Sequence, residues 1–207
     1  MTDVYTELAQ LGSATVHEAA GRAPVVDIPL IQILPGSRVA GPARTVRCGQ
    51  DDNLMVHAAV AEAEPGEVLV LTMPEPAPVA LFGDLLATQA KIRGAVAVLV
   101  DAAVRDKEEI VGMRLPVWTR WIRSRGATKE IVGALDVAVT VGGAEIRPGD
   151  FVVLDADGAT VVGAERAPEV LEAARAREEK EAHKREKLHE GALSYYLDGL
   201  NAVVERG

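Results

Sequence analysis

Two short apolar runs dominate the pattern. Residues 67–73, EVLVLTM, and residues 95–100 are nearly continuous in Val, Leu and Ala, which suits strands buried on both faces. A helical stretch precedes the first run. Asp52-Asn53-Leu54 can open it, and Pro65-Gly66 stops it after HAAVAEAE. A loop with Pro74, Pro76 and Pro78 follows the first run. Residues 83–91, GDLLATQAK, then read as a turn entering a helix that Gly94 ends, and residues 101–106 should lie just past the second strand.

Toward the N-terminus, residues 3–22 read as helical through Leu8, Leu11 and Val16, with Ser13 or Thr15 capping a second short helix. Pro35-Gly36 and Gly41-Pro42 are turn signals with short strands around Val39, Ala43, Thr45 and Val46. Further on, Pro116-Val117-Trp118 and residues 137–141, 150–155 and 160–162 read as strands, punctuated by Gly142-Gly143, Pro148-Gly149 and Asp157-Gly158. The last pair signals a hairpin. From Ala167 a long charged helix begins, with 7 Lys or Arg against 8 Asp or Glu between Glu165 and Glu190, a mixture typical of a solvated helix. Tyr195, Tyr196, Leu197, Leu200 and Val203 give its sequel an apolar face, expected to dock on this or a neighbouring subunit. The alternation of strands and helices predicts an α/β layered fold.

Composition narrows the function. Hydrophobic residues make up 48% and aromatics 3%, so the core is aliphatic and few rings are available to stack on bases. A net charge of -9 and a pI near 5.0 repel phosphate backbones, so no nucleic-acid ligand is expected. Cys48 is the only cysteine. It excludes an internal disulfide and a cysteine zinc site, and reads as a buried thiol. No secretory signal or membrane-spanning run is visible, and a cytoplasmic protein with no membrane partner is expected.

The candidate chemistry lies in GDLLATQAKIRGAVAVLVDAAVRD, from Gly83 to Asp106. Asp84 marks a helix entry, and Arg105-Asp106 follows a buried strand. In layered α/β folds such ends meet at one sheet edge, where ligands bind. Free N–H groups of Leu85 and Leu86 at the helix start suit a substrate carboxylate. Arg105 can hold a carboxylate or enolate. Asp106 is a hard ligand for Mg²⁺ or Mn²⁺. On these residues alone, Asp84 reads equally as a helix cap and Arg105-Asp106 as a surface ion pair. Lys91 reads as a solvated lysine rather than a Schiff-base former.

The D-x20-R-D pattern of Asp84, Arg105 and Asp106, opened by Gly83, resembles the signature of the HMG/CHA aldolase family. These are the 4-hydroxy-4-methyl-2-oxoglutarate and 4-carboxy-4-hydroxy-2-oxoadipate aldolases, which share a fold with the regulator of ribonuclease activity A. LPGSRVAGPARTV, DDNLMVHAAVAEAEPGEVLVL, LPVW and VGGAEIRPGDFVVLDADGATVV resemble family segments in the same order. The resemblance implies an αββα sandwich of the swivelling phosphohistidine-domain type over residues 1–165, a C-terminal helical extension over 166–207, and homotrimers or homohexamers with sites between subunits. It implies Asp106 as metal ligand for Mg²⁺ or Mn²⁺ and Arg105 at the 2-oxo oxygen of a small 2-oxo acid. Asp84 would hold or activate a metal-linked water, and the amides around Leu85 and Leu86 would take the carboxylate. The activity implied is aldol cleavage to pyruvate with oxaloacetate decarboxylation. The alternative is a non-enzymatic regulator of the ribonuclease-inhibitor branch that binds a basic protein segment. The chain departs from the family at His17-Glu18, where members often carry an aspartate, and at Glu190-Gly191, where a Gly-Glu pair is common. Asn53 and His57 are further candidates for touching ligand, against capping or packing roles.

Overall fold

The computed structural model describes residues 4–22 and 24–206. Its centre is a set of parallel strands: β2 (Val39–Arg47), β3 (Val68–Thr72), β4 (Ala80–Phe82), β5 (Ala97–Val104) and β6 (Val117–Ile122). β3 lies between β2 and β5, β6 pairs with the far side of β5, and β4 pairs with the end of β5. β1 (Ile31–Gln32) closes the edge at β6. Every residue of β3 and β5 is buried, as their unbroken apolar runs predict. In β5, Val98, Val100, Ala102 and Val104 face one core, while Ala97 and Leu99 face another.

The first core lies under α3 (Leu54–Glu62), α4 (Asp84–Arg93) and α5 (Lys107–Met113). The second is closed by the hairpin of β8 (Val139–Val141) and β9 (Ala144–Ile146), with β10 (Phe151–Asp155) and β11 (Gly158–Val162). Short β7 (Ala134–Leu135) pairs with the end of β2. A third core packs α1 (Val4–Leu11), α2 (Ser13–Ala19) and the start of α6 (Ala167–His189) against β10 and β11. The architecture is therefore α/β, with helices layered on a mixed sheet.

β2 joins the two halves of that sheet. Val39–Pro42 pair antiparallel with β10, whereas residues from Ala43 onward pair parallel with β3. Gly41-Pro42 is thus not the turn that its sequence suggests. Gly41 sits inside the strand because a Cβ there would stand 2.4 Å from the Gly66 carbonyl oxygen. Pro42, without an N–H, falls where the strand changes partners.

Other expectations shift by smaller amounts. Gly12, at φ 84°, breaks the N-terminal helix in two. Ser13 does not cap α2: its N–H and hydroxyl both donate to the Asp155 carboxylate, at 2.8 and 2.6 Å. β5 continues to Val104, so only Arg105 and Asp106 of residues 101–106 lie beyond it. β1, β4, β7, β9 and α5 were not foreseen. The strands have two or three residues and show no periodicity, and α5, with seven, barely completes two turns. Beyond Ala174 no residue of α6 is buried. It leads to α7 (Ser194–Leu197) and α8 (Leu200–Val204), where Tyr195, Tyr196, Leu197, Leu200 and Val203 are exposed.

Candidate active site at the ends of β4 and β5

β4 and β5 are parallel neighbours, and the chain leaves both at the same edge. Phe82 is in register with Val104, and the Arg105 N–H donates to the Phe82 carbonyl at 3.0 Å. Gly83 and Arg105 therefore emerge side by side. Gly83 is the N-cap of α4 in extended backbone, φ -150° and ψ -172°. A Cβ on it would lie 2.7 Å from Asp106 Oδ2 and 3.1 Å from Arg105 Nε. Close approach, not backbone conformation, demands glycine here.

Asp106 caps α5 in the left-handed region, φ 56° and ψ 46°, which Asp tolerates better than most residues. That turn brings its carboxylate back over Gly83. Oδ2 accepts the Asp84 N–H at 3.2 Å and pairs with Arg105 Nε at 3.3 Å. The structure thus gathers Gly83, Asp84, Arg105 and Asp106 into one cluster. Leu85 and Leu86 stand in the first turn of α4, where N–H groups have no intrahelical acceptor. The Leu86 side chain is buried, whereas Leu85 is 70% exposed.

Two hollows flank Arg105. One, of about 100 Å³, is lined by Asn53, His57, Phe82, Asp84, Leu86 and Lys129 among others. The other, of about 420 Å³, lies between Asp106, Lys107, Glu108 and Arg123. Their charged lining comprises four cations (Arg105, Lys107, Arg123, Lys129) and three carboxylates (Asp84, Asp106, Glu108). In a chain of net charge -9, this local balance favours an anionic ligand.

The far wall is a loop pinned to the start of α3. Asp52 is fully buried and accepts bonds from Thr128 Oγ1 at 2.7 Å and from the N–H groups of Glu130 at 2.6 Å, Ile131 at 3.2 Å and Leu54 at 2.8 Å. Burial opposes its charge, but these bonds outweigh it and hold its pKa down at about 2. Asn53 Nδ2 donates to the Leu81 carbonyl at 3.0 Å, which ties α3 to β4. The His57 pKa is lowered, first by burial and then by the Lys129 charge.

Sequence reasoning missed Lys129 and the Asp52 anchor. Lys129 carries no local signal, since only the fold brings its loop to this edge. His17 and Glu18 lie on α2, in the layer packed on α6 and β11, and line neither hollow. Glu190 ends α6 as an exposed residue outside both. The exposed Lys91 donates to the Met113 carbonyl, away from the cluster.

The donor set suits a hard cation. Asp106 offers a partly exposed carboxylate, and neither hollow presents cysteine. Among the described residues no three His, Cys, Asp or Glu side chains converge, so a cation here would keep mostly water ligands, as Mg²⁺ commonly does. Among the described residues no helix is long and apolar enough to cross a membrane.

A Halalkalibacterium halodurans protein provisionally named 4-hydroxy-4-methyl-2-oxoglutarate aldolase is 31% identical over 204 residues, covering 99% of this chain and 95% of its own. The crystal structure of Streptomyces coelicolor RraAS2, described as an unusual member of the RNase ES inhibitor RraA family, superposes with a TM-score of 0.78 at 30% identity, over 88% of this chain and 95% of that one. The RNA-processing inhibitor RraA from Thermus thermophilis gives 0.67 at 28% identity, over 72% and 91%. The RraA-like family model, Aldolase/RraA, matches residues 13–161, and with the full-length relative it shows that this chain belongs to the RraA-like family.

Proposed function

We propose that this chain is a divalent-metal-dependent carbon–carbon lyase. It would cleave a 4-hydroxy-2-oxo diacid of the 4-hydroxy-4-methyl-2-oxoglutarate type to pyruvate, and decarboxylate oxaloacetate through the same pyruvate enolate. The observation that carries this reading is the convergence of Arg105, Asp106 and the first turn of α4 on Gly83, beside hollows of mixed charge in which cations outnumber carboxylates by one. The name of the Halalkalibacterium relative supports it.

Asp106 would hold Mg²⁺ or Mn²⁺, and the cation would polarise the 2-oxo group as a Lewis acid. The N–H groups of Leu85 and Leu86 would orient the substrate carboxylate. Arg105 would meet the negative charge that grows on the 2-oxo oxygen as the carbon–carbon bond breaks, an interaction strongest in the transition state. Asp84, at the same helix start, would position a water for proton transfer. Lys129 and Arg123 would attract the second carboxylate of a diacid. The working assembly in this reading is a cytoplasmic homotrimer or homohexamer, with the exposed C-terminal segment of 166–207 as the part to follow between subunits.

The test is pyruvate release from oxaloacetate and from 4-hydroxy-4-methyl-2-oxoglutarate, with Mg²⁺ or Mn²⁺ and with chelator. Chelation or Asp106→Ala should abolish turnover. Arg105→Lys should lower it by about 10²-fold or more, because a point charge does not replace the planar fork. A regulator that binds a basic protein segment would leave Asp106 dispensable, so the same variant separates the two readings. Failure to release pyruvate with either metal, or indifference to Asp106→Ala, sinks the lyase reading.

A further inference from the structure

The smaller hollow contains a feature that the chemistry above does not use. Asn53 Oδ1 and His57 Nε2 are both buried and have no hydrogen-bond partner among the described residues. Both residues line the hollow that also holds Asp84 and Arg105. They stand one helical turn apart at the start of α3, on the same face. Asn53 is only 8% exposed, and its amide is oriented, because Nδ2 is spent on the Leu81 carbonyl at 3.0 Å. The oxygen is left as the unpaired end. Buried polar atoms in folded proteins are nearly always paired, and two orphans in one hollow point to a missing ligand group.

The identity of that group follows from what the two atoms offer. An amide oxygen only accepts a hydrogen bond. In its Nε2–H tautomer a neutral imidazole donates one, and the lowered His57 pKa agrees with a neutral ring at pH 7. One group satisfies both at once if it donates and accepts from a single atom, and a hydroxyl does so. We propose that Asn53 and His57 form a hydroxyl-recognising subsite: the C4 hydroxyl of the substrate accepts from His57 Nε2–H and on binding donates to Asn53 Oδ1, and for cleavage its proton turns to the water at Asp84, C4=O forms, and the C3–C4 bond pair goes to the enolate. The assignment rests on the lyase reading and narrows it. The subsite selects hydroxylated 2-oxo acids for aldol cleavage, and decarboxylation of oxaloacetate, which has no such hydroxyl, makes no use of it. The hollow, about 100 Å³, has room for one substituted carbon and little more.

The two substrates separate the idea from a purely structural role. Mg²⁺-supplied wild type, His57→Leu and His57→Gln are assayed for kcat/KM on 4-hydroxy-4-methyl-2-oxoglutarate and on oxaloacetate. His57→Leu should lose about 10- to 100-fold on the hydroxy acid, yet stay within about 3-fold of wild type on oxaloacetate, which also shows that the variant is folded. His57→Gln, whose amide N–H replaces the imidazole donor, should recover most of the loss. Equal losses on both substrates, or no loss on either, overturn the subsite. A wild type that decarboxylates oxaloacetate but leaves the hydroxy acid untouched overturns it as well. If wild type acts on neither, the lyase reading falls and the subsite falls with it.

Discussion

Gly83→Ala isolates the candidate site from the fold. The added Cβ would stand 2.7 Å from Asp106 Oδ2 and 3.1 Å from Arg105 Cγ and Nε. An ordinary carbon–oxygen approach is about 3.3 Å, so the carboxylate must retreat by about 0.6 Å. Its bond to the Asp84 N–H is already 3.2 Å long, and that retreat breaks it. The backbone does not resist, since φ -150° and ψ -172° suit alanine. The lost hydrogen bond costs about 0.5–1.5 kcal/mol. The reduced freedom of the unfolded chain returns about 0.4–1 kcal/mol, so stability should change by less than about 1 kcal/mol. Activity should not escape, because a misplacement near 1 Å can cost about 10²-fold. We expect kcat/KM for oxaloacetate to fall by about 10- to 100-fold, while the urea midpoint barely moves. Full activity in Gly83→Ala, or a loss that tracks unfolding, would refute the claim that Asp106 and Arg105 act from these positions.

Two further outcomes follow from groups outside the chemistry. Asp52 has a native pKa of about 2, below the unfolded value of about 3.9. Its contribution is therefore fully present above about pH 5 and lost as pH falls through 2, a difference of about 2.6 kcal/mol. Asp52→Asn should be less stable than wild type at pH 7 by a similar amount, and the gap should close in acid; a pH-independent gap in urea titrations contradicts this. Cys48 is buried, and desolvation first, then the Asp52 charge, push its thiol pKa up to about 12. Native protein should resist a thiol reagent at pH 8 and react only when unfolded; rapid native labelling disproves that burial.

The sequence made the centre of the fold legible and its edges much less so. β3 and β5 were visible because strands buried on both faces have no polar positions to interrupt them. The hairpin of β10 and β11 was visible because Asp157-Gly158 is a turn pair, and Gly158 takes φ 133° there. Gly41-Pro42 misled because glycine has two uses. Here it admits the Gly66 carbonyl rather than turning the chain, and only the neighbouring strand reveals which use applies. The candidate site divides in the same way. Asp84, Arg105 and Asp106 occupy one contiguous segment, whereas Lys129 and the Asp52 anchor come together only through pairing across the fold.

That division has a topological cause. When two parallel strands pair directly and one helix connects them, the residues after both strands must emerge at one edge, whatever lies between. β4, α4 and β5 are such a unit, and the bond from the Arg105 N–H to the Phe82 carbonyl fixes its register at the last residue. The juxtaposition of Gly83 with Arg105 and Asp106 is thus a consequence of local connectivity and needs no long-range coincidence. The opposite wall has no such guarantee. It depends on bonds between distant segments: the buried Asp52 carboxylate holds Thr128, Glu130 and Ile131, while backbone bonds join Thr128 to Asp51 and Asn53 and Arg125 to Ala80 of β4. In the proposed lyase, anion and metal chemistry would therefore sit on the part of the site that connectivity secures. Discrimination among substrates would fall to Asn53, His57 and Lys129, on the part that long-range bonds hold.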